Sequence, residues 1–240
     1  RSERLENFLM DSSGEPVWSG SYQFDGRSFS LNSSDWAVSR GQREDGLAGL
    51  TLEGRFGEGW TFQSVLTSYG ILHDETRRTN HNPADPVYDG SGRVSRQDDT
   101  WWFSAAFKMG HDSWLGRDDL SGYFGYHLNH YNFDQMEWNS SDYVSGLRDG
   151  ALRNDQGGVT RQQAVFVQAD WNFSSDWTLA PGLRVEQWEA RRGRTFQSAS
   201  DPAFRHPDRR ESDFSPKLSL AYEPNSSWQL RASVAQATRY

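Results

Sequence analysis

The sequence predicts an all-β protein, an antiparallel up-and-down transmembrane β-barrel segment of about eight strands. Three observations predict this fold. Apolar and polar residues alternate over runs of about nine residues, which is the period of a strand with one apolar and one polar face. Short polar turns flanked by large rings recur along the chain, and long polar stretches lie midway between them. Short turns at one end of a sheet and long loops at the other are typical of membrane barrels.

Four short turns set the spacing of the strands. They lie at 56–60, 114–120, 173–177 and 222–228, and their centres are 59, 58 and 50 residues apart. Tyr and Trp concentrate where a membrane meets water. We therefore expect the rings at the short-turn end to form a membrane-interface girdle. The girdle comprises Phe56, Trp60, Trp114, Phe173, Trp177, Tyr222 and Trp228.

The alternating runs predict the strands in order. They are about 43–56, 60–75, 100–114, 119–138, 161–173, 177–194, 213–223 and 228–238. Alternation is clearest at 101–109, where the large apolar residues occupy odd positions. It is weakest at 60–75, where apolar residues occur at both odd and even positions, and a β-bulge would explain this. Fully extended, 119–138 would span about 60 Å, which is long for a strand of a soluble sandwich.

The whole chain, 1–240, is expected to be a partial β-barrel domain. Residues 1–42 are rich in Ser, Asp and Gly and do not alternate firmly, so we expect a long outer loop and an incoming strand there. Residues 43–240 then form four consecutive hairpins. Their long loops are expected near 76–99, 139–160 and 195–212. Because the chain ends within an apparent strand, we expect it to be a piece of a longer protein.

Composition narrows the function classes. The formal net charge is −8, which argues against a nucleic-acid partner because no surplus of cations neutralises phosphates. Cysteine is absent, which excludes a catalytic Cys and a disulfide framework. The apolar runs are far shorter than the roughly 20 residues of a spanning helix. A mean hydropathy of −0.87 suits a barrel with a wet lumen.

Charged residues in mid-strand lie on the polar side of the alternation. Arg184 and Glu186 share one face of their strand, and Lys217 and Arg231 occupy the same side of the last hairpin. A barrel turns its apolar face to lipid and its polar face to the lumen. We therefore expect these four residues to face the lumen.

Two stretches resemble β-hairpins of the TonB-dependent outer-membrane receptors. They are DFSPKLSLAYEP at 213–224, followed by WQLRAS at 228–233, and LAPGLRVE at 179–186. The resemblance covers about a third of a receptor, the middle of a 22-stranded barrel in a Gram-negative outer membrane. It implies uptake of a ferric siderophore or similar scarce ligand with TonB-derived energy. The implied partners are outer-membrane lipid, that ligand, the receptor's own plug domain, which the lumen residues would contact, and the TonB complex. The plug and the C-terminal strands are expected outside this chain.

Residues 76–99 carry the candidate ligand-binding residues. Arginine and aromatic side chains suit anionic, catechol-rich or planar ligands through charge-assisted hydrogen bonds and stacking. The alternatives are that the arginines balance nearby aspartates on a solvated loop or bind lipopolysaccharide phosphates. The candidates are Arg77, Arg78, His81, Tyr88 and Arg93.

No metal site, cofactor or catalytic activity is expected. His127 and His130 are three residues apart, so a strand directs them to opposite faces. The chain has neither a nucleophile elbow nor a glycine loop that opens a helix. Two other classes remain open: a soluble Trp-rich β-sheet carbohydrate-binding protein or glycosidase, and a passive outer-membrane porin.

Overall fold

A computed structural model describes residues 10–196 and 203–237. These residues form strands, turns and one short 3-10 helix, Ser33–Trp36. In this part of the chain, no helix has the length and apolar character needed to cross a membrane.

The strands follow in chain order. They are β1 Gly20–Phe24, β2 Arg27–Leu31, β3 Ser39–Phe56, β4 Trp60–Thr79, β5 Gly92–Arg96, β6 Trp101–His111, β7 Leu120–Ser140, β8 Leu152–Trp171, β9 Trp177–Phe196, β10 Phe204–Arg205, β11 Arg209–Asn225 and β12 Trp228–Ala235.

Ten of these strands form one antiparallel sheet with up-and-down topology. Its order is β12-β11-β9-β8-β7-β5-β4-β3, and β10 adds to β9. β5 and β6 share one position between β4 and β7. β5 pairs with the outer parts of β4 and β7, and β6 pairs with the parts of β4 and β7 nearer the short turns. The sheet therefore has eight main strand positions. The predicted fold class, an antiparallel up-and-down β-barrel segment, is confirmed.

Several strands extend beyond their expected bounds at the end opposite the short turns. β4 continues to Thr79, and β5 lies within the stretch 76–99 that was expected to be a loop. β8 begins at Leu152 rather than near 161, and β11 begins at Arg209 rather than near 213. The connections are therefore shorter than expected, at 80–91 and 141–151; part of the third, 197–202, lies outside the described residues. Backbone pairing continues there without alternation, because both faces of these extensions carry polar side chains.

The N-terminal stretch also has more structure than the long loop expected for 1–42. β1 and β2 form a separate hairpin, and β3 begins at Ser39. Asp25 and Gly26, in the turn between β1 and β2, both have positive φ, at 49° and 71°, as a two-residue hairpin turn requires. Residues 1–9 of this stretch lie outside the described residues.

β4 contains a bulge at Leu72. Glu44 pairs with His73 while Asp45 pairs with Ile71, so Leu72 is the extra residue. The bulge lies within the predicted strand 60–75 but outward of its mixed apolar residues. It therefore does not explain why Val65 is apolar, since that residue lies on the polar face.

The register assembles the apolar sides of all the long strands into one face, the apolar face. One row across it reads Phe62, Met109, Phe124, Val167, Leu183 and Pro216. The next reads Ser64, Phe107, Tyr126, Val165, Val185 and Phe214. Neither row contains a charge. The opposite side of the sheet, the polar face, has between them the row Gln63, Lys108, Gly125, Phe166, Arg184 and Ser215.

No second layer covers the apolar face in the described residues. On both faces of the described sheet together, the buried apolar residues are limited to Val94, Val159 and Ala164. Leu218 in the middle of the apolar face is 45% exposed. A soluble β-sandwich would enclose such a face. The sheet therefore resembles a piece of barrel wall and not half of a globular domain.

Candidate ligand-binding face

The polar face brings together the four residues predicted to face the lumen. Arg184 Nε donates to Glu186 Oε2 at 2.7 Å, and Gln162 also donates to Glu186, at 2.7 Å. Lys217 and Arg231 line a hollow of about 420 Å³ nearby. Asp170 and Glu223 also line this hollow, so the face is highly charged but nearly balanced in this region.

Three arginines converge at the outer end of this face, the end opposite the short turns. Arg78 of β4 pairs with Arg93 of β5, which pairs with Asn139 of β7. Arg153 of β8 reaches the same place, with its Nη1 3.4 Å from Asn139 Oδ1 and its Nε 3.6 Å from Glu137 Oε1. We call Arg78, Arg93 and Arg153 the arginine cluster.

Positive charge in the arginine cluster is poorly balanced. Arg78 and Arg93 form no salt bridge within the described ranges, and the buried Nε of Arg93 has no hydrogen-bond partner there. Burial, followed by the charges of Arg153 and Arg78, lowers the pKa of Arg93, and Glu137 offsets this only in part. An anion placed among the three guanidinium groups would relieve the repulsion and provide the missing hydrogen-bond acceptor.

The remaining candidate residues of 76–99 do not join this cluster. Arg77 follows the opposite face, where its Nε donates to Glu75 at 2.7 Å and its Nη1 donates to the carbonyl of Val144. His81 Nδ1 is 3.0 Å from Ser33 Oγ. Tyr88 lies in the connection 80–91, where burial raises its pKa. Neighbouring residues of a strand point to opposite faces, so Arg77 and Arg78 cannot belong to the same site.

An aromatic pocket lies farther in on the polar face and has a volume of about 400 Å³. Tyr131 stacks on Phe133 with centroids 6.3 Å apart, and the guanidinium of Arg209 lies 5.9 Å from the centroid of the Trp188 ring. His206 and Arg191 also line the pocket. Along β7 the pocket lies about 20 Å from the arginine cluster, at about 3.3 Å per residue over the six residues from Phe133 to Asn139.

Sequence reasoning missed the aromatic pocket, although a signal for it exists. Tyr131 and Phe133 occupy odd positions of β7, the side on which that strand is otherwise polar. Large rings on the polar side of an alternating strand do not serve a lipid face, which favours a ligand contact for them.

Comparison with known families identifies the chain. The model of the family described as TonB dependent receptor-like, beta-barrel matches residues 4–239. The chain belongs to this family of TonB-dependent receptor barrels. Comparison with curated proteins found no match. The resemblance inferred from the two hairpin strings is therefore confirmed, and it now extends over nearly the whole chain.

Membership of this family favours one of the broad function classes, the receptors and transporters. TonB-dependent receptors are receptors and transporters of the outer membrane and not an enzyme family. The soluble carbohydrate-binding protein or glycosidase and the passive porin are therefore not supported. In the described part of the receptor barrel, no three His, Asp or Glu side chains gather as metal ligands would.

The seven rings predicted as a girdle all lie at the short-turn end of the receptor barrel. Phe56 and Trp60 stack at 6.2 Å, and Trp177 stacks on Tyr222 at 4.3 Å. Phe173 lies 6.4 Å from Trp177. Trp114 lies against Gly122, where an added Cβ would come within 3.0 Å of the Trp114 ring, and Trp228 is 67% exposed. A place at the short-turn end is what an interface girdle requires; contact with lipid headgroups stays a prediction.

Proposed function

We propose that this barrel segment belongs to an outer-membrane receptor that imports a ferric siderophore or a similar anionic chelate with TonB-derived energy. The observation that carries the proposal is the arginine cluster, three guanidinium groups with one nearby carboxylate on the polar face. Family membership supports a receptor, and the cluster supports an anionic ligand. The aromatic pocket on the same face supports a ligand that also carries rings.

The two faces suggest how the segment sits in the outer membrane. On β7 the even positions from Leu120 to Leu128 are uncharged, and eight residue steps correspond to about 26 Å along the strand. Strands tilted by about 40° would cover about 20 Å of membrane with this length, close to the apolar band of roughly 25 Å in known barrels. We therefore place lipid on the apolar face and the lumen on the polar face. The short turns are then periplasmic, and the arginine cluster lies toward the cell exterior.

Ligand capture would use both parts of the polar face. Planar guanidinium groups bind carboxylates and similar anionic groups through paired, charge-assisted hydrogen bonds. Tyr131 and Trp188 offer ring faces for stacking, and Arg209 above Trp188 adds a cation near the same rings. The ligand would meet the arginine cluster first and the aromatic pocket deeper in the lumen.

The segment itself would act as wall and scaffold. Arg184, Glu186, Lys217 and Arg231 would contact the plug domain or ordered water from the lumen side. Energy coupling to the TonB complex would run through regions of the receptor outside this chain.

A binding experiment on the full-length receptor tests the proposal. Purified receptor is titrated with a panel of ferric chelates that bear negative charge, with a neutral ferric chelate and with a neutral oligosaccharide. The double variant Arg78→Gln/Arg93→Gln should weaken binding of the preferred anionic chelate by about tenfold or more per arginine, the scale of one hydrogen bond to a charged group. Arg40→Gln is the matched control, because Arg40 lies at the same end of the sheet on the other face and is exposed.

Two results would contradict the proposal. One is tight binding of an anionic chelate that the double variant does not weaken. The other is selective binding of the neutral oligosaccharide that Tyr131→Ala abolishes and that Arg78→Gln/Arg93→Gln leaves unchanged. That result would identify a sugar receptor. The same variants can be compared for uptake of the preferred chelate, labelled with radioactive iron, by iron-starved cells. We expect a variant that weakens binding to lower this uptake as well.

A further inference from the structure

A group of cations lies on the apolar face, directly outward of its uncharged rows. The register continues from Phe103 through His130, Arg161, Glu189 and Arg210. Arg191, two residues beyond Glu189 on β9, is the next residue outward on this face. Arg192 follows it at a break in the register between β8 and β9. We call Arg161, Arg191, Arg192 and Arg210 the cationic patch.

The cationic patch has a surplus of positive charge. Arg191 Nη2 lies 2.6 Å from Glu189 Oε2, and Arg210 Nε lies 3.4 Å from Glu189 Oε1. The guanidinium groups of Arg161 and Arg192 form no salt bridge among the described residues, although the backbone N–H of Arg192 donates to Asp208 Oδ1 at 3.0 Å. Within the described ranges, the side chains of the four arginines form salt bridges to one carboxylate, that of Glu189, and Asp208 is a second acid beside the patch. Four cations against two acids leave a surplus of positive charge.

The patch borders a hollow with an apolar lining. Its volume is about 440 Å³, and Trp101, Phe103, Leu128 and Val159 line it. Trp101 stacks on His130 with centroids 4.7 Å apart and planes within 12°. Arg161 and Arg192 lie at the same hollow. Apolar and cationic groups thus meet in one depression of this face.

We infer that the cationic patch binds the phosphorylated headgroup of an outer-leaflet lipid, with part of an acyl chain in the adjoining hollow. The inference rests on the proposed orientation, in which the apolar face meets lipid. A lipid has an apolar chain and a charged headgroup, and the depression offers a surface for each. Its apolar lining continues the uncharged rows of the apolar face, and the arginines are the first cations outward of those rows. Guanidinium groups at the membrane surface attract anionic lipid headgroups and pair with phosphate oxygens.

The hollow of the patch and the aromatic pocket share two lining residues, Val159 and Arg191, at the break in register between β8 and β9. Arg161 and Arg192 line the hollow of the patch and not the aromatic pocket, and the row of Arg161 lies on the opposite face of the sheet from the arginine cluster. A ligand in the lumen would not reach Arg161 or Arg192, which favours a resident lipid as the occupant.

Lipid titration of the full-length receptor tests the inference. Receptor in phosphatidylcholine nanodiscs is titrated with diphosphoryl lipid A or with its dephosphorylated form, and bound lipid is counted by native mass spectrometry. Arg161→Gln/Arg192→Gln removes the two arginine side chains that form no salt bridge in the described part of the chain, and it keeps the backbone N–H that residue 192 donates to Asp208. We expect about 25-fold weaker binding of diphosphoryl lipid A, because each cation near an anionic lipid contributes about fivefold. The control Arg55→Gln/Lys108→Gln removes two cations from the polar face and should bind as wild type does.

Three results would overturn the inference. They are unchanged lipid binding by Arg161→Gln/Arg192→Gln, equal binding of the dephosphorylated lipid, and displacement of the lipid by inorganic phosphate at similar concentration. Chelate binding by the same variant separates the two proposals. We expect it to be unchanged; loss of chelate binding with lipid binding retained would instead place the chelate on the apolar face and contradict the proposed function.

Discussion

Leu218 and Ser219 are neighbours on β11 that the account places in different surroundings. Leu218 pairs with Pro181 and Val234 and is the middle one of five successive apolar-face residues, from Phe214 to Tyr222. Four residues on either side amount to about 13 Å along the strand, so Leu218 lies near the centre of the uncharged band. Ser219 faces the hollow that also holds Asp170 and Glu223.

Arginine at these two positions should therefore have unequal costs. At the middle of a bilayer, an arginine on the lipid face costs about 2–4 kcal/mol, so Leu218→Arg should lower the free energy of unfolding by this amount. Ser219→Arg introduces the same charge into a wet region with carboxylates at hand, and its cost should be well below 1 kcal/mol.

A reversible denaturant titration of the full-length receptor in lipid vesicles measures both variants. Heat-modifiable migration on a gel reports the folded fraction at each denaturant concentration. The reasoning would be refuted if Ser219→Arg were as destabilising as Leu218→Arg or more so. It would also be refuted if neither variant differed from wild type, since the uncharged band would then not contact hydrocarbon.

Two further predictions concern stability. A Cβ at Gly125 would lie 2.3 Å from the Phe107 carbonyl oxygen and 2.4 Å from the Phe166 ring. We therefore expect Gly125→Val to lower the free energy of unfolding by about 1–3 kcal/mol in the same titration. A Cβ at Gly49 would meet nothing closer than 3.7 Å, so Gly49→Val should cost much less. Equal effects would contradict the close approach at Gly125. In the turn before β7, the hydrogen bond from Arg117 lowers the pKa of Asp119 to about 2 from an ordinary 3.8. The ionised Asp119 carboxylate should therefore stabilise the fold fully above pH 3.8, and this stabilisation should be lost as the pH falls through 2. Arg117→Gln should flatten stability over this pH range, and an unchanged acid profile would count against the pair.

The two faces of the sheet were predictable because a strand with one apolar and one polar face alternates with a period of two. Phe103, Leu183 and Leu218 must all be apolar if they share one face, and a period of two reveals that face directly. The rings at the short-turn end could be placed for a related reason, since each lies beside a short polar turn.

The outer ends of the strands obey no such rule. β5 and the first part of β8 extend beyond the uncharged rows, and polar residues suit both of their faces. No alternation marks these stretches, so they appeared to be loops. Their pairing rests on backbone hydrogen bonds, which leave little trace in the sequence.

The arginine cluster could be predicted only in part. Arg78 and Arg93 belong to the stretch selected for its arginines, but Arg153 comes from a distant strand through register alone. Arg77 was selected on composition, and the alternation of side chains in β4 directs it to the opposite face. Strand register therefore decides which of several similar residues can act together.

The most direct test of the central claim is to measure which side of β11 contacts lipid. This chain contains no cysteine, so single cysteines at 214–221 can be labelled with nitroxides without competition from within it. Accessibility is then measured by electron paramagnetic resonance with oxygen, which concentrates in lipid, and with a water-soluble nickel chelate. We predict high oxygen accessibility at the even positions, including Leu218, and high nickel accessibility at the odd positions, including Ser219. The reverse pattern, or equal accessibility at odd and even positions, would contradict a barrel wall with its apolar face in the membrane.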